Sequence, residues 1–180
     1  MDQGRTIMLR VCFHGAESTG KSVLAARLHH RFGWPWVPEY GRDYCERNGT
    51  DLSMADLLAI AEGHQLATEA LATGMPDVLI SDTDQLMTAA WAAMLFDEIP
   101  GALLAYPKAD LYLLFETDVP WLEDGTRLFG STEERRRFGQ LAETMLRCAG
   151  VSWIRVGGSW EEREAKAITA IAEALAARRR

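Results

Sequence analysis

Cysteine is scarce in this chain. Cys12, Cys45 and Cys148 are odd in number, widely separated and without C-x-x-C spacing among 180 residues. That excludes a disulfide framework and predicts reduced, mostly packing thiols rather than a metal or redox centre. Histidine is equally sparse, and His14, His29, His30 and His64 show no metal-binding spacing. Positive charge is in deficit, with 19 Lys and Arg against 26 Asp and Glu and a formal net charge of −7. A nucleic-acid surface needs clustered positive charge, so no nucleic-acid partner is expected. No apolar run approaches the roughly 18 residues of a membrane span, and no signal-peptide core opens the chain. The expectation is a soluble, cytoplasmic protein with no membrane partner. Repeats, low-complexity segments and linkers are missing too, so residues 1–180 read as one domain.

Against these absences stands one specific motif. Gly15-Ala16-Glu17-Ser18-Thr19-Gly20-Lys21-Ser22 reads G-x-x-x-x-G-K-S, the phosphate-binding loop. An apolar strand candidate at 7–13 precedes it, and a helical pattern with Leu24, Leu28 and Phe32 on one face follows, stopping at Gly33. Gly15 and Gly20 let the backbone close on phosphate oxygens. Lys21 brings a point charge to the β- and γ-phosphates, and Ser22 a hydroxyl for Mg²⁺. Residues 15–22 therefore predict ATP or GTP binding with Mg²⁺.

A short strand at 36–38 delivers Glu39-Tyr40-Gly41-Arg42-Asp43-Tyr44, expected on a loop. A carboxylate there can accept a proton from a substrate hydroxyl or bind it, and Arg42 can hold a phosphate or an acid. Ser53-x-x-Asp56 starts a helix to about Thr73, with His64 on its apolar stripe as a core or boundary histidine. The buried strand at 77–81 opens into Asp82-Thr83-Asp84 at its carboxyl end, where open α/β sheets bind ligands. Asp82 is the predicted metal ligand opposite Ser22, and Asp84 belongs to the metal shell or the substrate, with a second option as helix cap. Leu86, Met87, Ala90, Trp91 and Met94 read as core. Strands follow at 110–115 and 151–156. Between them, the region about 118–137 carries Arg127 and Arg135-Arg136-Arg137, either a phosphate-closing lid or, for the helical run, a solvated face pairing with Glu133 and Glu134. The turn Gly157–Trp160 can flank an adenine.

Five strands alternating with helices imply a three-layer α/β/α P-loop NTPase, nucleoside-kinase-like, with a five-stranded parallel sheet. The loop motif, Pro38-Glu39-Tyr40-Gly41-Arg42, Ser81-Asp82-Thr83-Asp84, Asp118-Val119-Pro120-Trp121, Asp124-Gly125-Thr126-Arg127 and Gly158-Ser159-Trp160-Glu161-Glu162-Arg163 occur in order. Together they resemble the ribosylnicotinamide kinase domain of NadR-type NAD-biosynthesis proteins. No H-x-G-H adenylyltransferase signature accompanies them. The resemblance implies transfer of the ATP γ-phosphate to the 5′-hydroxyl of nicotinamide riboside. It puts Ser22 and Asp82 on Mg²⁺, Glu39 or Asp84 on the 5′-hydroxyl, Tyr40, Arg42 and Trp121 in the riboside pocket, and Arg127 and Arg136 on the phosphates. Two alternatives stay open: a kinase for another nucleoside or vitamin-like alcohol, and a non-catalytic ATP-binding switch read by a partner.

Overall fold

A computed structural model describes residues 8–122, 125 and 127–179. The strands β1 (Leu9–His14), β2 (Trp36–Val37), β3 (Val78–Asp82), β4 (Leu111–Phe115) and β5 (Trp153–Val156) form one all-parallel sheet in the order β2-β3-β1-β4-β5. Buried on both faces, the central strands are apolar nearly throughout, as parallel sheets demand.

Helices cover both faces. On one side α1 (Lys21–Phe32) and α7 (Trp160–Arg178) pack on Leu9, Val11, Phe13 and Ile80. On the other, α3 (Met54–Ala72), α4 (Gln85–Phe96) and α6 (Thr132–Ala149) pack on Cys12, Tyr112 and Leu114. The remaining helices are α2 (Tyr40–Asn48) and the short α5 (Gly101–Ala105). Capping boxes at Ser53/Asp56, Ser131/Glu134 and Ser159/Glu162 start α3, α6 and α7, each satisfying otherwise orphaned N–H groups. The Ser53-x-x-Asp56 spacing places the start of α3 correctly.

Two local expectations fail. Residues 40–44 are helical, the first half of α2, because Tyr40 and Tyr44 recur at helical spacing and pack against the cluster that holds Leu57, Ile60 and Ala61 of α3. Phe32 leaves the buried face of α1; it is 39% exposed and stacks on Trp34 with ring centroids 4.4 Å apart.

Candidate functional site

The glycine loop leaves the carboxyl end of β1 and turns directly into α1. Gly15 takes φ +127° and a Cβ there would stand 2.6 Å from Phe115 O, so only glycine fits. Gly20 takes φ +86°, with the Trp160 ring against the position of its missing Cβ. Lys21 Nζ folds back into the loop, donating to Gly15 O at 3.0 Å and Ala16 O at 2.8 Å. Those carbonyls hold the ammonium at the loop's mouth, beside the first N–H groups of α1.

Asp82 ends β3 beside the loop. Ser22 Oγ donates to Asp82 Oδ2, while Asp82 Oδ1 is buried without a hydrogen-bond partner among the described residues. Burial and the nearby charge of Glu39 raise the Asp82 carboxyl to about 6, against the opposing pull of Lys21. An orphaned carboxylate oxygen beside a serine hydroxyl is a donor set suited to a hard divalent cation, whose charge would reverse that shift.

These groups line a cleft of about 390 Å³ at the carboxyl edge of the sheet. Its phosphate side is Glu17 to Ser22 with Arg127. Opposite stand Glu39 and Arg42, their Oε2 and Nε 3.9 Å apart, with Asp43 beside them. Glu39 is the residue before α2, so its backbone is still extended when the helix begins. The floor is apolar: Leu52, Leu57, Ile60, Met87 and Trp91, with Trp36 at the edge. The sequence reads Met87 and Trp91 as core, and the structure makes them part of the cleft wall. Periodicity marks a face as buried but does not distinguish a packed core from the wall of a cleft.

Glu17 and Ser18 link the phosphate loop to the segment after β4. Glu17 accepts from the N–H groups of Leu128 at 3.4 Å and Phe129 at 3.2 Å, and burial raises its pKa despite them. Ser18 Oγ accepts from Leu122 N at 2.8 Å and lies 3.4 Å from Arg127 Nη1. Arg127 thus reaches the mouth of the cleft. Glu123, Asp124 and Thr126 of the predicted lid lie outside the described residues.

Several predicted positions fall elsewhere. Asp84 is buried as the N-cap of α4: Oδ1 accepts from Leu86 N at 3.0 Å and Oδ2 from the Tyr112 hydroxyl at 2.5 Å. It is not among the residues lining the cleft, and the role the structure gives it is the helix cap that the sequence offered as its second option. Arg136 stands on the exposed side of α6, paired with Glu133 Oε1 at 2.5 Å and Oε2 at 3.1 Å, as its i, i+3 spacing dictates. Arg135 donates to Val119 O at 2.9 Å, and Arg137 reaches Asp97 at 3.7 Å. Tyr40 packs its ring against Gly63 of α3, and Trp121 lies on Gly130. Neither ring lines the cleft. Trp160 covers Gly20 and sits beneath Arg163 rather than in the cleft.

Residues 10–163 match the family model described as AAA domain. The chain belongs to that family. Among curated proteins this AAA domain is 33% identical over 153 residues to the trifunctional NAD biosynthesis/regulator protein NadR of Escherichia coli K12, and 32% identical to that of Salmonella typhimurium LT2. Each alignment covers 81% of this chain but 37% of the relative, so the chain spans little more than a third of the curated relatives it matches. A crystal structure of NadR in complex with NR shares the fold with a TM-score of 0.76 and 23% identity, over 94% of this AAA domain and 52% of that chain. Thymidylate kinase from Ehrlichia chaffeensis follows at 0.65 and 13% identity, over 91% and 98%. The five-stranded P-loop architecture is therefore one that kinases use.

Proposed function

We propose that this protein is an ATP-dependent kinase that phosphorylates the 5′-hydroxyl of nicotinamide riboside, giving nicotinamide mononucleotide and ADP. One observation carries the reading: the phosphate loop with Ser22 and Asp82 shares a single cleft with a second carboxylate, Glu39, above an apolar floor. A nucleotide switch needs the first half of that arrangement. It has no use for the second.

In this reading Gly15 to Ser22 hold the triphosphate and Lys21 turns from its loop carbonyls to the β- and γ-phosphates. Ser22 and Asp82 would hold Mg²⁺, which would supply charge neutralisation for the transferring phosphoryl group. Glu39 accepts the hydroxyl proton, and Arg127 draws negative charge at the mouth. The acidic groups Glu17, Glu39, Asp43 and Asp82 around an apolar and tryptophan-bearing wall favour a cationic pyridinium over an anionic substrate. Likeness to NadR, a protein of NAD biosynthesis, supports the same substrate.

The test is ADP release by the purified protein with ATP and Mg²⁺ in the presence of nicotinamide riboside, a panel of ribo- and deoxynucleosides, or no acceptor. Release that depends on nicotinamide riboside and vanishes in Lys21→Ala is expected. Preference for another nucleoside overturns the substrate. ATP binding without turnover on any acceptor overturns the enzyme.

A further inference from the structure

Behind the glycine loop, on the sheet face away from α1, lies a buried group of donors that the phosphate chemistry does not use. Cys12 and His14 are two residues apart on β1, so their side chains project to the same face. Asp84 meets them from the start of α4. Cys12 and His14 are fully buried and Asp84 is 7% exposed. One donor atom from each, a sulfur, an imidazole nitrogen and a carboxylate oxygen, lies within 4.8 Å of the other two.

The partners around this group orient it. His14 Nε2 is 2.9 Å from Ala142 O, so it carries the proton and donates there. Nδ1 is left with a lone pair, buried, and without a hydrogen-bond partner among the described residues. A ring fixed by one N–H···O=C bond with its other nitrogen unshared is how metal-binding histidines are commonly held. Asp84 is oriented by Leu86 N and the Tyr112 hydroxyl, and Tyr112 sits opposite Cys12 in the β1–β4 register. Thiolate, imidazole and carboxylate together form the mixed donor set of a borderline-soft ion.

We propose that Cys12, His14 and Asp84 supply three ligands to a Zn²⁺ ion that braces the junction between β1 and the phosphate loop. On binding, Cys12 releases its thiol proton to solvent and the thiolate sulfur joins the metal. Thiolate and carboxylate then balance the two positive charges, so no net charge is left among Leu86, Ala142 and the other apolar neighbours. His14 directly precedes Gly15, which places the ion where it would stiffen the root of the loop. This site stands apart from the kinase reading and survives or falls without it.

The test is metal analysis of full-length protein dialysed against Zn²⁺ and then freed of loose ion, with Co²⁺ substitution as a spectroscopic probe. One zinc per chain is expected, along with a sulfur-to-cobalt charge-transfer band and a melting temperature that falls on chelation. Cys12→Ser loses the band and the response to chelator. Cys45→Ser and Cys148→Ser keep both, and His14→Gln weakens zinc affinity at least about tenfold. Wild-type protein without stoichiometric zinc or a cobalt band overturns the site. So does a band that persists in Cys12→Ser or disappears with Cys45 or Cys148. Should Cys12→Ser fail to fold, the wild-type and His14→Gln measurements decide the matter.

Discussion

Ser22 and Asp82 are hydrogen-bonded to each other across the gap between the phosphate loop and β3, and the second carboxylate oxygen of Asp82 is buried without a hydrogen-bond partner among the described residues. Such an oxygen costs stability unless a ligand uses it. Asp82→Asn keeps the shape and removes the charge. It is expected to lower kcat by about 10²–10³-fold, the size typical for loss of one electrostatic stabiliser, and Ser22→Ala by less. Steady-state rates across an Mg²⁺ titration check this, and an unchanged kcat would take Asp82 out of the phosphate chemistry.

Acid should weaken the cation site before it unfolds the protein. The Asp82 carboxyl is raised to about 6, and Mg²⁺ competes with its proton. Apparent Mg²⁺ affinity is expected to fall by about tenfold per pH unit below that value. The stability sign is opposite. A carboxyl whose folded pKa lies above its ordinary value stabilises the metal-free fold as pH drops from about 6 towards 4. Buried His14 and His64, both lowered to about 4, contribute stability above their ordinary 6.5 that is lost as pH falls through that window to about 4. Metal-free Asp82→Asn should therefore lose more stability than wild type between pH 6 and 4, by an amount on the order of 1–3 kcal/mol. Denaturant unfolding of both proteins at those pH values reads the difference directly.

Glu39 and Asp84 separate by kinetics. Glu39 lines the cleft, and Asp84 caps α4 outside it. Glu39→Gln should leave stability near wild type and reduce kcat by about 10²–10⁴-fold. Asp84→Ala should cost about 1–2 kcal/mol for the lost cap and leave the Tyr112 hydroxyl without its acceptor. Its kcat should fall far less than that of Glu39→Gln. Thermal melts paired with initial rates distinguish the two, and the reverse pattern would exchange their roles.

Much of this arrangement can be read from the chain before any coordinates. The G-x-x-x-x-G-K-S spacing specifies a loop that few other structures accept, and apolar runs ending in Asp82 or Phe115 specify parallel strands. Capping boxes mark helix starts because their hydrogen bonds are local. The illegible parts depend on direction rather than identity. Asp82 and Asp84 differ by two residues, yet one ends a strand facing the cleft and the other turns into a helix cap. Likewise Tyr40 and Trp121 are aromatic residues near the site whose rings turn onto Gly63 and Gly130 instead. Arg163 ended a recognisable motif, but nothing in its spacing announced that it would be buried.

That arginine carries the last expectation. Arg163 is 1% exposed, on the first turns of α7, and its guanidinium ties four pieces of backbone and side chain together. Nη1 donates to Thr19 O at 3.1 Å in the phosphate loop, Nη2 to Glu116 O at 3.3 Å and to Asp118, and Nε to Gly158 O at 2.9 Å. Planar, five-donor geometry suits this fork, and a lysine ammonium cannot span it. Because Asp118 is partly exposed, its charge is screened and water can replace the lost ion pair. The buried carbonyls have less access to that remedy. Arg163→Lys is expected to destabilise the fold by about 2–3 kcal/mol, or roughly 5–10 °C in melting temperature for a chain of this size. If the Thr19 contact shapes the loop, nucleotide KM rises as well, with kcat less affected. Asp118→Asn, which keeps the backbone bonds, should cost under about 1 kcal/mol. Equal losses in the two variants would mean that the ion pair, rather than the backbone clamp, holds the loop in place.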